Sequence, residues 1–398
     1  MTVLTADVAI VGAGLIGCML ARDLALGGRS VVVIDKGRVG GESSGVSFGS
    51  LRIQGTRGTS LEFALRAQTI WENVETEIGR SVEFDPSGHV HLALDEAQVE
   101  RLEENARHLR AHGAEVEIVG RNEIARRWPF LARERVVAAS WSSRDALVNP
   151  RLVAPAFAAA AARLGVRIVE EAEVIAAERK DGRFRLRTGS RVAPSIVADV
   201  LVNAAGAWCG RLAALFGEHI PVFAAGPAEI VTEPVERFLG PVIHVVDGSV
   251  LFRQTRRGNL IVAGHPRMSV DMDSRDNRVP PAKILVNLGR LAAIAPGLGA
   301  CHVLRTWTGI EGYVPDMNPV LGPSATTPGL FHACAFSGHG LQVGPAASVA
   351  LTELITTGRT DMPIDDFGVE RFAEDRARAV PTMGEEFSHD VIDKGAKP

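Results

Sequence analysis

Cysteine is scarce in this sequence: four among 398 residues, at Cys18, Cys209, Cys301 and Cys334, with no C-x-x-C pair. That spacing argues against a disulfide framework and against zinc or iron–sulfur ligation within the chain, so no metal is expected and the four thiols read as small buried hydrophobes. No uninterrupted apolar run is long enough to cross a bilayer. The opening residues, Met1 to Ala6, lack the basic stretch, apolar stretch and cleavage site of a secretory leader, so the expected location is cytoplasmic. Excess charge of either sign is missing too. A net charge of −4 and a pI near 6.3 argue against a general binder of nucleic acid or membrane surfaces. Internal repeats and low-complexity segments are also absent.

What is present is a globular balance, 46% hydrophobic and 23% charged, in a chain long enough for two or three domains. Asp7 to Val11 reads as a buried strand, Leu15 to Leu26 as a helix ended by Gly27-Gly28, and Ser30 to Ile34 as a second buried strand. Together they make a βαβ unit. Helical spacing continues over Leu61 to Ile78, Glu96 to His112 and Pro150 to Leu164, and buried strands are expected at Val197 to Asn203 and Leu330 to Cys334. Short β segments at Val242 to Val246, Val250 to Arg253 and Leu260 to Ala263, parted by turn residues, suggest an antiparallel sheet inserted into a Rossmann unit. The tail after Phe372 reads as charged and loosely held.

Gly12-x-Gly14-x-x-Gly17 lies between the first strand and helix, and Asp35 ends the second strand. Gly12 permits the tight turn, Gly14 lets backbone approach a pyrophosphate, and Gly17 lets helix and strand pack closely. Leu15 and Ile16 begin the helix whose free N–H groups would face the phosphates. Asp35, with Lys36 beside it, would meet the adenosine ribose. This unit binds a dinucleotide but does not distinguish FAD from NAD.

Three later segments complete a pattern: Gly41-Glu42-Ser43-Ser44-Gly45, Asn203-Ala204-Ala205-Gly206-Ala207-Trp208, and Phe336-Ser337-Gly338-His339-Gly340-Leu341-Gln342. In this order the four resemble the D-amino-acid oxidase superfamily over about Ala6 to Phe372. The resemblance implies an α/β fold in which a glutathione-reductase-like Rossmann FAD domain carries an inserted, mainly antiparallel substrate domain. The FAD domain would comprise residues 1–81, 148–217 and 323–375, the substrate domain 82–147 and 218–322, and the tail 376–398. It also implies that Ser43 and Ser44 meet the pyrophosphate side, and that Gly49, Ser50 and Leu51 run past the flavin ring. Val174 would pair with adenine, Ala205, Gly206 and Trp208 would lie near the adenosine phosphates, and Gly338 to Gln342 would cap the pyrimidine side. FAD is expected to be bound without a covalent link, because Cys301 falls several residues early for attachment.

The segment Arg305 to Asp316, with Phe336 to Pro345, is similar to the FAD-bearing beta subunits of opine oxidase, D-hydroxyproline dehydrogenase and hydrogen cyanide synthase. That implies oxidation of the C–N bond of an amino acid or secondary amine, in a hetero-oligomer whose partner subunits carry a second flavin or an iron–sulfur centre. Glu311 stands where glycine oxidase has a carboxylate-clamping arginine, and Gly338 where the final flavin loop has another. A substrate acid group would therefore turn to Arg52, Arg253 or Arg305, while Glu311 suits a cationic amine. His265 and His339 are the histidines expected near the flavin, to orient substrate or take a proton. The strand Leu260 to His265 lacks the lysine that promotes reaction with oxygen, which favours a dehydrogenase over an oxidase.

Overall fold

The computed structural model describes residues 3–372 and 383–392. Five parallel strands form the heart of the first sheet, in the order Arg167–Val169, Val31–Ile34, Val3–Val11, Ser195–Asn203, Leu330–Cys334. Their near-continuous apolar character follows from cover on both faces. Val8, Ile10, Val31 and Val33 pack with helices Leu15–Leu26, Pro150–Arg163 and Gly340–Thr357. Ala9, Val32 and Ile34 face the other way, onto Phe184 and Leu186 of the hairpin Val174–Lys180 and Arg183–Thr188. The strand Val320–Pro323 pairs antiparallel with Leu330–Cys334 at the sheet's edge. An expected unit boundary between 322 and 323 would cut this strand, and by hydrogen bonding all of it belongs with the first sheet.

Helix Gly340–Thr357 contains Pro345, which has no N–H to give to the carbonyl of Leu341. Trp71, on helix Thr59–Ile78, supplies the missing donor: its Nε1–H bonds the Leu341 oxygen at 2.9 Å. A buried aromatic thus pins the start of the helix that the last glycine loop leads into.

The second sheet also has eight strands, running Val303–Trp307, Glu229–Pro234, Asn259–Ala263, Leu251–Gln254, Val242–Val245, His89–Ala93, Ala138–Ser142, Val116–Gly120. All its pairings are antiparallel except one. Val242–Val245 lies parallel to His89–Ala93, with His244 opposite His91, and joins segments about 150 residues apart. Side chains alternate along these strands. Val90, Leu92, Ile230, Ile243, Val245, Phe252 and Val262 make an apolar face covered by Leu291 and Ile294 of helix Pro281–Ile294, a helix not anticipated from the sequence. The opposite face carries polar groups and looks toward the first sheet.

The tail also departs from expectation. Residues 383–392 are docked: Phe387 is 1% exposed, packed against Phe223 and Tyr313. Arg267 N–H donates to the Glu386 carbonyl at 2.7 Å, and Ser388 N–H to that of Arg267 at 2.9 Å. The rest of the expected tail lies outside the described residues.

Candidate active site

A cavity of about 1570 Å³ runs between the two sheets. That exceeds the ~300–1,000 Å³ of an ordinary small-ligand cleft. All five parallel strands end at it, and the loops following them form one wall. This is the crevice outside the carboxyl ends of the strands, where doubly wound folds bind ligands.

The glycine turn is built as its spacing requires. Gly12 has φ +116°, and a Cβ there would sit 2.2 Å from the Ala204 oxygen. Gly17 lies behind the wall, where a Cβ would fall 1.9 Å from the Gly12 oxygen, so its role is packing. The Asp35 carboxylate accepts from Ala13 N–H at 2.6 Å and Gly37 N–H at 2.7 Å, which ties the turn to the second strand. Ser44 Oγ accepts from Leu15 N–H at 2.9 Å, while Gly14 and Ile16 line the cavity beside it. At the same end Lys36 Nζ sits 3.0 Å over the Trp208 ring, and burial, helped by Arg275, brings its pKa down to about 8. Val174, Ala205 and Gly206 border this end.

The other end is formed by Ser43, Gly49 and Ser50, by Gly338 to Gln342, and by the second sheet. Helix Gly340–Thr357 starts here without a side-chain cap, so its first N–H groups are open to the cavity. The loop before it holds Ala335 and Ser337 at φ 49°, a left-handed backbone that costs non-glycine residues about 1–3 kcal/mol each. Two hydroxyls facing the cavity, Ser47 Oγ and Ser50 Oγ, are buried without partners. Leu51 does not face the cavity. It is 4% exposed in the core and pairs with Ala146, whereas Gly49 and Ser50 line the cavity. A long cleft with a glycine turn and helix start at one end, a second open helix start at the other and unsatisfied hydroxyls between them fits FAD.

Of the expected substrate residues, the structure brings Arg52, Glu311, His265 and His339 to the cavity wall. Arg253 is beneath it: its Nε donates to the Phe48 carbonyl at 2.7 Å, shaping the floor under Gly49. Arg305 is exposed on the outer strand Val303–Trp307, whose first three residues all face solvent, and it does not line the cavity. Burial, with the charges of Arg52 and Arg267, holds the His339 pKa down to about 3. His265 is held well below the ordinary imidazole value by burial and Arg267. Both are neutral and weakly basic, suited to orienting substrate rather than taking its proton.

Sequence reasoning missed several wall residues. Arg267 follows the second sheet's Asn259–Ala263 strand and reaches the final flavin loop, where a Cβ on Gly338 would lie 3.3 Å from its Nη2. Its guanidinium thus lies in the space beside Gly338 that a side chain there would need. It pairs with Glu386 at 2.9 Å and lies over Tyr313, the only tyrosine, whose hydroxyl donates to Glu311 Oε2. Glu229 is 1% exposed, with Oε2 unpartnered, and burial, reinforced by the charge of Glu311 against the pull of Arg253, pushes its pKa up to about 8.

Three histidines, His89, His91 and His244, share the cavity face of the second sheet. Their nearest ring nitrogens lie within 4.8 Å of one another, a spacing that could hold a metal ion. His244 Nδ1 and His91 Nε2 are hydrogen-bonded at 3.2 Å, and both nitrogens of His89 and Nε2 of His244 are buried without partners. Burial pushes all three pKa values down, and the charge of Arg52 adds to the effect on each. The signal in the sequence was polar residues alternating with Val90, Leu92 and Ile243 inside apolar strands.

The sequence profile of the FAD dependent oxidoreductase family matches residues 7–354. Glycine oxidase of Geobacillus kaustophilus is 26% identical over 373 residues, covering 92% of this chain and 97% of its own. Human mitochondrial dimethylglycine dehydrogenase is 24% identical over 390 residues. The match covers 93% of this chain but 44% of that longer protein. Among solved structures, L-proline dehydrogenase from P. horikoshii superposes with a TM-score of 0.88 at 25% identity, over 95% of this chain and all of that one.

Proposed function

The chain belongs to the FAD dependent oxidoreductase family, and we propose that it oxidises the C–N bond of an amino acid or secondary amine. The observation that carries this reading is a guanidinium and two carboxyl groups converging beside the flavin loop: Arg267 against Gly338, with Glu311 and Glu229 in the same wall. Arg267 offers paired N–H donors to a substrate carboxylate. Glu311 and Glu229 offer acceptors to the amine. Relatives whose names specify glycine, dimethylglycine and L-proline agree with an amino-acid substrate.

Bound FAD supplies the acceptor for a hydride, two electrons and a proton, from the substrate Cα–H. The chain's contribution is placement. Two anchored ends of the substrate fix the direction of its Cα–H, and the buried wall keeps the site dry. The amine must shed one proton for the C–N bond to become an imine. Glu311, already an acceptor for Tyr313, is the group that faces it. Water then hydrolyses the imine to a 2-oxo acid and an amine.

Electron transfer onward to a partner subunit with a second flavin or iron–sulfur centre completes the proposal, in which this chain is the catalytic subunit of a hetero-oligomer. The test is anaerobic addition of sarcosine, D- and L-proline, hydroxyproline, octopine and nopaline to FAD-loaded protein. Bleaching by one of them, without comparable peroxide in air, is expected. Stoichiometric peroxide from the isolated chain would instead make it a free-standing oxidase. A flavin that no amine reduces would overturn the reading.

A further inference from the structure

His89 and His91 are two residues apart on the strand His89–Ala93, so both turn to the same face. His244 is the register partner of His91 in the sheet's one parallel pairing, and all three rings line the cavity. Their centroids stand 4.7, 4.9 and 5.7 Å apart, with the rings tilted or edge-on rather than stacked. Rings converging on one point take this form. Three imidazoles on a tetrahedral ion, with metal–nitrogen bonds of about 2.0–2.1 Å, have nitrogens roughly 3.3 Å apart and centroids roughly 5 Å apart. Here His244 Nδ1 and His91 Nε2 are separated by 3.2 Å, and one nitrogen of each ring lies within 4.8 Å of the others. Closing the widest gap takes at most roughly 1.5 Å.

Hydrogen bonding accounts for only two of the rings. A neutral imidazole has one N–H and one lone pair. The His91–His244 contact uses one of each, and both nitrogens of His89 stay buried without a partner. An ion at the centre would take a lone pair from every ring. Among the described residues, no other set of three His, Cys, Asp or Glu side chains has its ligand atoms this close. Nitrogen donors alone, with no carboxylate, suit zinc, nickel or copper rather than magnesium or calcium. Three histidines leave the fourth position of a tetrahedral ion open, the donor set of a catalytic rather than a structural zinc. The charge of Arg52, felt at all three rings, works against a cation. An anion at the open position, hydroxide or a donor oxygen of the molecule in the cavity, offsets that field.

We propose that His89, His91 and His244 hold a divalent transition-metal ion of the zinc class on the cavity face of the second sheet, with its fourth coordination position open to the molecule bound there. The site does not depend on which bond the flavin oxidises.

The test strips FAD-loaded protein of metal and titrates it with Zn²⁺ against a chromophoric chelator. One equivalent is expected to bind. His89→Phe, which breaks no side-chain hydrogen bond, and His91→Phe should each weaken binding by at least about a hundredfold, because losing a direct ligand costs more than the roughly 10–100-fold of losing an outer-shell partner. Flavin content, measured on the same samples, shows that the variants are folded. Arg52→Gln should tighten Zn²⁺ by about tenfold or more, since it removes the opposing charge. Co²⁺ added to the unaltered protein should give the intense visible absorption of a four-coordinate ion, a readout that needs no variant. Absence of stoichiometric binding overturns the site. So does Zn²⁺ that survives His89→Phe and His91→Phe, Zn²⁺ that Arg52→Gln weakens, or the faint spectrum of six-coordinate Co²⁺.

Discussion

Replacing Glu229 by glutamine should change how stability depends on pH more than stability itself. The carboxyl's ordinary pKa is 4.5, and in the fold burial and Glu311 push it up to about 8. A raised carboxyl pKa means that the fold favours the neutral form. The associated stability is therefore fully present below about 4.5 and is lost as pH rises through about 8. Between those values the wild type should lose on the order of 1.4 kcal/mol per pH unit relative to a side chain that cannot ionise. From pH 5.5 to 7.5 the gap between Glu229→Gln and wild type should widen by about 3 kcal/mol in favour of the variant. Urea unfolding at fixed excess FAD measures this, because the cofactor's own contribution then stays constant. Glu311→Gln removes one cause of the shift and should flatten the dependence. A gap that stays constant across pH would refute the assignment of Glu229 as a buried neutral acid.

Gly12→Ala should abolish FAD retention and lower stability by about 2 kcal/mol or more, since φ +116° is strained for alanine and its Cβ would strike the Ala204 oxygen. Flavin absorbance per folded chain and a melting curve check it; a variant with normal flavin content would contradict the fit of the turn to the cofactor. Phe387→Ala removes a side chain packed on Phe223 and Tyr313, a loss of about 3–5 kcal/mol at that cluster. Because the segment is terminal, the expected outcome is local release: faster hydrogen exchange over 383–392 with a small change in melting temperature. Arg305→Ala should leave the KM for any turned-over amine within about twofold, as an exposed outer-strand charge contributes little; a tenfold rise would return it to the site.

Local signals made the cofactor half legible. The glycine turn, Asp35, and the segments near Ala205 and Gly338 each follow the end of a strand of the first sheet, the segment near Ser43 opens the short helix Ser43–Val46 after the second strand, and each is contiguous in sequence. Leu51 departs from the expected stretch because successive residues of the strand Ser50–Leu51 face opposite ways, Ser50 to the cavity and Leu51 to the core. The substrate half was harder to read, because its wall is assembled by pairing rather than by proximity in the chain. His244 meets His91 through a sheet register that spans about 150 residues. Arg267 reaches the space over Gly338 from a different element, so the segment around Gly338 carries no local sign of it. Of the candidate partners for a substrate acid group, Arg305 is exposed away from the cavity and Arg253 bonds the Phe48 carbonyl beneath it, placements that depend on sheet facing rather than on local sequence.

The single parallel pairing in the second sheet also sets an order of events for a growing chain. Once residues 89–142 have emerged, His89–Ala93 and Val116–Gly120 can already flank Ala138–Ser142 in a three-stranded antiparallel sheet. His89–Ala93 then stands at its rim with Val90 and Leu92 uncovered and a full row of backbone groups unpaired. The strand that closes this rim, Val242–Val245, is synthesised some hundred residues later, about 5–20 seconds at ordinary ribosome speeds. During that interval the newborn chain offers other chains a template for edge-to-edge pairing. Slowed elongation between residues 142 and 245 should therefore lower the yield of native protein through aggregation, although it alters no residue of the finished fold.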